Sequence, residues 1–281
     1  MKSSSYVIVF FLILSLANFS CYAPRYVFTP STQNIPLLHK KGDLEFAAYN
    51  GGSINTFNGK GNYNRGFDLQ GAWAVSNHVA AMVNETGRKE NNMDNDSYYA
   101  GDTSALSYKS HFTEVGVGYF TPARDNKKMQ LQIFGVAAFG SSDIVDEYSS
   151  GSVQAVKYHN SSVTKIFLQP AVVYNPVKNF SAALTSRFTE VIFRNINTNY
   201  TAAELNNYLL DQLTISPVFF WEPAMSYTFG FKKIPFQLKM QGSISILLNH
   251  RFVEHRTGNV AFGIVANVVK KEKKKGTKTK K

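Results

Sequence analysis

The feature that most restricts what this chain can fold into is an alternation of side chains with a period of two, clearest in Gly66–Asn84. Phe67, Leu69 and Trp73 alternate with polar or small residues, so the large apolar side chains share one face of a strand. A short link, Ser76-Asn77, then leads into a second strand, and strands joined so closely pair antiparallel. The segment therefore predicts a hairpin whose two faces meet different surroundings.

Similar runs recur along most of the chain, and no helical period lasts longer than a couple of turns. They predict ten strands, at about residues 43–51, 65–75, 78–88, 105–121, 128–139, 155–174, 179–193, 217–229, 236–248 and 258–269. The links alternate between short turns and long polar loops, the loops falling at 52–64, 88–104, 140–154, 194–216 and 249–257. Such alternation places all short turns on one rim of a closed meander and all long loops on the other.

We therefore predict an all-β fold, a single antiparallel up-and-down transmembrane β-barrel of about ten strands with a short helix in one long loop. An even strand number is expected to leave both termini on the short-turn rim. The barrel is expected to span residues 43–269.

Strand length and aromatic placement both favour a bacterial outer membrane. A spanning strand needs roughly 9–11 residues, and most of the predicted runs reach that length. Charged residues make up 17% of the chain and aromatic residues 14%, an unusual pairing for a soluble domain. Aromatic residues cluster near predicted strand ends, at Trp73, Tyr119, Phe120, Tyr174, Phe180, Trp221, Tyr227 and Phe229. Outer-membrane lipid is therefore the expected partner of the outer face.

The residues opposite the apolar face are expected to line the lumen. They are Glu45, Asp68, Gln70, Glu114, Gln130, Gln132, Lys165, Gln169, Arg187, Glu222, Lys239 and Gln241. Because a barrel of about ten strands is narrow, these side chains should meet, pair and fill the interior. The candidate polar network consists of Glu45, Asp68, Gln70, Glu114, Lys165, Arg187, Glu222 and Lys239. Structural packing and a permeation path both remain open as its role.

The start of the chain has the parts of an export signal: a charged beginning, a short apolar run and a small-residue exit. We predict a signal peptide over residues 1–20. Cys21 then becomes either the lipid-bearing first residue of a lipoprotein or part of an ordinary cleavage site before residue 24. Residues 21–42 carry three prolines and no clean period, which predicts an extended lead-in.

The formal charge of +11 comes mainly from the end of the chain. Lys270–Lys281 holds eight lysines and one glutamate, so the rest of the chain carries only +4. A terminal lysine run is typical of a solvated tail, so residues 270–281 are read as a tail and no nucleic-acid partner is predicted.

The sequence contains no clear catalytic or metal-binding pattern. The nearest catalytic grouping is Ser110-His111 with Glu114, but adjacent strand residues point to opposite faces, so Ser110 and His111 are badly placed to act together. His250 and His255 lack the paired spacing of a zinc motif. No catalytic residue, metal site or cofactor is predicted.

The loop at 194–216 contains a helix start. Thr201 is followed by Glu204 in the spacing of a capping box, and one apolar side is given by Leu205, Tyr208, Leu209 and Leu213. This helix either caps the barrel mouth or presents a surface to a partner.

Several segments of the chain carry a family resemblance. They are Cys21–Tyr26, Asn34–Leu38, Lys41–Asp43, Gly66–Val75, Glu114–Phe120, Ser186–Phe193 and Trp221–Pro223. Together they resemble uncharacterised outer-membrane β-barrel proteins of Bacteroidota, which are often predicted to be lipoproteins. The resemblance covers most of the chain and implies a fold and a location, but no activity.

Two functional hypotheses follow. The first is a non-enzymatic outer-membrane barrel with a structural, surface-interaction or narrow-transport role, its loops available to another envelope protein. The alternative is a secreted or lipid-anchored soluble barrel that binds an apolar ligand inside, with its apolar face inward and its charged set outward. No sequence feature indicates an oligomeric state.

Overall fold

The computed structural model describes residues 25–54, 63–94, 102–121, 128–150, 153–177, 179–231, 234–249 and 253–268. The predicted signal peptide, Cys21 and the lysine-rich tail lie outside the described residues. Among the residues described, no helix is long and apolar enough to cross a membrane.

The strands form one antiparallel sheet. They are β1 (Leu44–Ile54), β2 (Tyr63–Ala74), β3 (Val79–Asp94), β4 (Asp102–Phe120), β5 (Met129–Ser150), β6 (Val153–Val177), β7 (Phe180–Thr198), β8 (Val218–Phe231), β9 (Ile234–Ile244), β10 (Ile246–Leu247) and β11 (Gly258–Val268). The short β10 continues β9 along β8, and β11 pairs with both β9 and β1. The sheet therefore closes, and the prediction of a ten-strand barrel is confirmed.

In the first hairpin, the alternating apolar and polar residues lie on opposite faces of the wall. Phe67, Leu69 and Trp73 are exposed, whereas Asp68 and Gln70 between them are buried. This inverts the arrangement of a soluble protein, because the apolar side faces out and the polar side faces in.

The same inversion surrounds the barrel and gives it an apolar outer band. The exposed side chains of the band include Phe46, Val83, Val117, Leu131, Ile166, Leu184, Met225, Leu238 and Ile264. Near the short turns the band ends in Trp73, Tyr119, Tyr174 and Phe229, and near the loops it ends in Phe67, Phe139 and Phe219. An apolar band between two aromatic belts is the surface of a barrel embedded in lipid, so this chain is an outer-membrane β-barrel.

The wall is taller on one side than the sequence predicted. Strands β3 to β7 contain 16, 19, 22, 25 and 19 residues, whereas β1 and β2 contain 11 and 12. The long loops expected at 88–104 and 140–154 were therefore wrong, since strands occupy most of both segments. Above the membrane the outer face of a strand meets water and the inner face packs against a mixture of apolar and polar groups, so the period-two signal fades although the ladder of backbone hydrogen bonds continues.

The predicted helix is present as α1 (Ala202–Asn207), with the capping box between Thr201 and Glu204 formed in both directions. Hydrogen bonding from the Thr201 backbone lowers the pKa of the Glu204 carboxyl. A 3₁₀ turn follows at Asp211–Thr214. Next to it, Leu210 and Leu213 are buried in an apolar cluster with Phe28, Phe193, Phe220 and other residues at the loop end of the barrel. This segment thus helps to close the barrel mouth.

Candidate functional site

The lead-in lies inside the barrel and runs along the lumen. Arg25 forms an ion pair with Asp146, which lies near the loop end of β5. At the other end, Gly42 donates a backbone hydrogen bond to Ala74 O, at the short-turn end of β2. Residues 25–41 therefore run along the full height of the lumen, from the loop rim to the short-turn rim.

This route corrects one expectation. The barrel itself begins and ends at the short-turn rim, because β1 begins and β11 ends there. The chain at Arg25 is at the opposite rim, because the lead-in doubles back through the lumen before β1. The reversal occurs at Gly42, whose φ of 87° lies in the left-handed region that suits glycine.

The half of the lumen toward the short turns, here called the lower lumen, holds the main chain of the lead-in with side chains of the wall. Gln241 accepts from Gln33 N at 2.6 Å and donates to Gln33 O at 3.0 Å. Lys239 Nζ donates to Ile35 O at 2.8 Å. The other bonds of this kind are Thr32 N to Asp68, Gln70 to Thr32 O, Gln169 to Asn34 O, Gln132 to Pro36 O, Leu37 N to Glu45, and Gln130 to Leu38 O.

These bonds satisfy a peptide segment that has no neighbouring strand. A backbone amide or carbonyl buried without a partner costs about 1–3 kcal/mol. Carboxamide side chains suit this task because each glutamine carries both a donor and an acceptor. The wall thus supplies, through side chains, the hydrogen bonds that a strand ladder would supply through main chain.

All eight residues of the candidate polar network are buried in the lumen. Asp68, Gln70, Glu45 and Lys239 bind the lead-in, as described above. The other four residues are Glu114, Lys165, Arg187 and Glu222.

At mid-height, Lys165 Nζ lies 3.2 Å from Glu114 Oε1, and both side chains are almost completely buried. Asn84 donates to Glu114 at 2.9 Å and is itself bound by Asn34 of the lead-in at 2.7 Å. The buried pair is therefore hydrogen-bonded on several sides, as a pair of desolvated charges requires.

Arg187 makes a second contact between wall and lead-in. Its guanidinium donates to Gln169 Oε1 at 3.1–3.2 Å and to Ser31 Oγ at 3.0 Å, and it lies 4.4 Å from the Phe167 ring centroid. Glu222 accepts a hydrogen bond from Thr189 on the neighbouring strand. The predicted lumen residues thus bind the lead-in and their strand neighbours as well as each other.

The half of the lumen toward the loops, here called the upper lumen, uses side chains of the lead-in. Besides pairing with Asp146, the Arg25 guanidinium lies 4.0 Å from the Tyr208 ring centroid. Thr29 donates to Glu90 at 3.0 Å, and Glu90 also pairs with Arg256 at 2.6 Å. Tyr200 donates to Asp146 at 3.4 Å.

Apolar contacts complete the upper lumen. Phe28 stacks on Phe220 with ring centroids 4.2 Å apart, and Arg256 N donates to Phe28 O at 2.9 Å. Burial raises the pKa of Tyr200 to about 12, so its hydroxyl stays a donor at neutral pH. The loop before β11 and the α1 segment both fold over the lead-in.

The space left between these groups is small. A cavity beside Glu45 and Lys239 has a volume of about 10 Å³, and one beside Tyr26 and Glu90 has the same volume. Each is large enough for about one water molecule. Neither is wide enough for a solute.

The sequence predicted an extended lead-in but not its position inside the lumen, although one feature of the sequence indicates that position. Gln70, Gln130, Gln132, Gln169 and Gln241 all occupy lumen positions and are buried. Five amides on one inner surface need partners that offer both donors and acceptors, and a peptide main chain is such a partner. The three prolines of the lead-in, which favour extended backbone, agree with this.

The weak catalytic grouping is separated in the structure. His111 faces outward and pairs with Glu85, whereas Glu114 faces the lumen. His255 contacts backbone carbonyls, and His250 lies outside the described residues. Within the described part of the chain, no group of three or more His, Cys, Asp or Glu residues could hold a metal ion.

Several solved structures of outer-membrane barrels are similar to this chain. The translocator domain of the autotransporter NalP from Neisseria meningitidis is 11% identical, covering 83% of this chain and 90% of its own, with a TM-score of 0.44. An outer-membrane channel from Pseudomonas putida F1 is 10% identical over 84% of this chain and all of its own, with a TM-score of 0.40. The outer-membrane protease OmpT from Escherichia coli is 8% identical over 80% and 92%, with a TM-score of 0.37.

No protein-family model matches the sequence, and no curated protein matches it. At such low similarity the solved structures carry no argument about activity. The function has to be inferred from the barrel itself.

Proposed function

We propose that this protein is a sealed, non-enzymatic outer-membrane barrel that acts at its loop rim and carries its own N-terminal segment through the membrane. The lead-in is a structural plug in this proposal. The observation that carries it is the continuous set of bonds from Arg25 to Leu38, which fills the lumen along its length.

The interior also argues against the alternative hypothesis. A soluble barrel with an apolar ligand inside needs an apolar lumen and a charged outer face. Here Glu114, Lys165 and Arg187 are buried inside, while Leu69 and Ile264 are exposed outside.

The direction of the lead-in supports a role for the protein at the outer surface of the cell. Outer-membrane barrels keep short turns on the periplasmic side and longer loops outside the cell. The chain preceding Arg25 would therefore leave the barrel on the outer side. Cys21, four residues earlier, would carry a lipid there if it is the lipoprotein cysteine.

An epitope inserted between Pro24 and Arg25 of the full chain tests this topology. Antibody should label intact cells, and the same epitope after Lys281 should need permeabilised cells because β11 ends at the opposite rim. Labelling before Arg25 only after permeabilisation would overturn the proposed direction. Incorporation of a labelled fatty acid, lost in Cys21→Ala, tests the lipid separately.

Conductance measurements test whether the lead-in closes the lumen to ions. The purified full-length barrel in a planar bilayer should show no steady current, because the cavities left in the described lumen hold about one water each. A steady open-channel current from the unmodified protein would contradict the proposal.

A second candidate is a narrow channel that conducts after the lead-in moves. The lumen favours it through charged wall residues that would line the vacated path, including Glu114, Lys165, Arg187 and Glu222. Gln132→Ala/Gln241→Ala weakens the hold on the lead-in, with Met240→Ala on the lipid face as the control. Current in the double variant alone would show that a path exists behind the plug.

A further inference from the structure

The outer face of the wall carries charge on one side only. Strands β8, β9, β11 and β1 contain Glu222, Lys239 and Glu45 as their charged residues, and all three are buried in the lumen. Strands β2, β3 and β4 instead carry exposed cations on their outward face near the loop rim.

Three of these cations form a row. Arg65 lies opposite Lys89, and Lys89 lies opposite Lys109, in the antiparallel register of β2, β3 and β4. All three residues are exposed, and the row crosses two strand spacings, about 10 Å. Like charges placed directly opposite each other weaken a sheet. Folding alone therefore gives no reason for the arrangement.

Nearby carboxylates only partly offset the row. Asp143 lies opposite Lys109, at one end. Glu85 is bound by His111 and by Thr113, whose hydroxyl donates at 2.8 Å. Counted over the described residues of these strands, the row therefore has more cations than neighbouring carboxylates.

At its Arg65 end, on β2, the row lies just above the apolar band. Phe67 is two residues from Arg65 toward the membrane, is 46% exposed, and belongs to the aromatic belt at the loop end. Its ring covers Gly87 on the next strand, where an added Cβ would lie 2.4 Å from a ring carbon. The cations follow at the next outward-facing level, about 7 Å farther along the strands. This is the level of the lipid headgroups.

An apolar groove lies below the Arg65 end of the row, on β1, β2 and β3, and it reaches β9 and β11. It has a volume of about 630 Å³ and is lined by Phe46, Leu69, Val83, Phe236, Ile264 and neighbouring residues. A headgroup held at the row would place its acyl chains over this groove.

We propose that Arg65, Lys89 and Lys109 bind the phosphate groups of a phosphorylated glycolipid in the outer leaflet, with its acyl chains in the groove below. Three cations in a row match a headgroup that carries more than one negative charge. The aromatic belt beneath Arg65, which includes Phe67, sets the depth of the lipid headgroup in the membrane. The described outer face of β8, β9, β11 and β1 contributes apolar residues to the groove but carries no equivalent row of cations.

The test uses full-length protein in phosphatidylcholine nanodiscs that contain a little bisphosphorylated lipopolysaccharide. Glycolipid retained per barrel is measured after purification of the discs. Lys89→Gln/Lys109→Gln should retain about tenfold less than the unmodified protein. The control Lys128→Gln/Arg194→Gln removes the same charge from exposed positions outside the row and should retain nearly all of it.

Heat-dependent gel mobility shows that each variant is folded. Equal losses in the two double variants would overturn the proposal, because they would indicate diffuse charge attraction. Equal retention of the glycolipid after enzymatic removal of its phosphates would also overturn it, since only the acyl chains would then be recognised.

Discussion

The two halves of the lumen hold one peptide segment in opposite ways. In the lower lumen, side chains of the wall such as Gln241 and Lys239 bond to the main chain of the lead-in. In the upper lumen, side chains of the lead-in such as Arg25 and Thr29 bond to the wall. The lower half therefore depends mainly on the wall's sequence, although the Asn34 side chain also bonds to the wall, and the upper half depends mainly on the lead-in's sequence.

This difference has a physical basis. Every residue of a peptide offers the same main-chain groups, so a wall that binds them holds an extended segment with little regard to its side chains. A side-chain contact is specific but is lost with one substitution. The upper contacts therefore fix the register of the segment, and the lower contacts fix its path.

The largest expected effect lies where the two halves meet. Lys165→Met leaves the Glu114 carboxylate buried without its charged partner, which should lower the free energy of unfolding by about 3–5 kcal/mol. Urea unfolding in detergent micelles, followed by gel mobility, measures the change. Glu114→Gln/Lys165→Met removes both charges and should recover much of the loss. A single variant as stable as the unmodified protein would show that the buried pair does not need both charges for stability.

The next effect tests the lower lumen. Gln241→Leu leaves both Gln33 N and Gln33 O without their partner, and each unsatisfied group costs about 1–3 kcal/mol. We expect a loss of about 2–4 kcal/mol in the same assay. Met240→Leu, on the lipid face of the same strand, is the control and should change little. A loss below about 0.5 kcal/mol would mean that the wall does not need its bonds to the main chain.

A smaller effect is expected in the upper lumen. Arg25→Gln removes the ion pair with Asp146 at the barrel mouth, and a hydrogen bond to a charged group contributes about 1.5 kcal/mol or more. The variant should also expose the start of the lead-in to protease, while Arg25→Lys should be intermediate because it keeps only the charge. Unchanged cleavage in Arg25→Gln would contradict a register fixed by this residue.

The smallest change in the free energy of unfolding is expected for the Thr32 side chain in the lower lumen. The Thr32 hydroxyl is buried and has no hydrogen-bond partner among the described residues, while its backbone groups bind Asp68 and Gln70. Thr32→Val should therefore shift the free energy of unfolding by less than about 0.5 kcal/mol, toward greater stability. A loss as large as that of Arg25→Gln would show that the wall recognises the Thr32 side chain as well as its main chain.

The barrel was predictable from the sequence because period-two alternation is a local signal. Phe67, Asp68 and Leu69 show it within three residues, and the strand count follows from its repetition. The height of the wall was not predictable in this way. Around Ser141 and Asp143 the outer face meets water instead of lipid and carries polar residues, so strand and loop have similar compositions there.

The residues that face the lumen could be predicted from the sequence, but the groups that they bind could not. Alternation places Gln169 and Lys239 on the inner face but does not say what they bind. Their partners, Asn34 O and Ile35 O, are separated from them by 135 and 204 residues. Main-chain groups leave no mark in a sequence, so only the number of inward-facing glutamines indicated that a peptide lies there.

The seam between β1 and β11 has a consequence for the order of assembly. It joins the first and last strands of the barrel, so the ring cannot close until the final strand has been made. The lead-in precedes β1 and can settle against the growing sheet while the ring is still open. The simplest sequence of events is therefore a wall that wraps around its plug, with closure of the seam as the step that traps it.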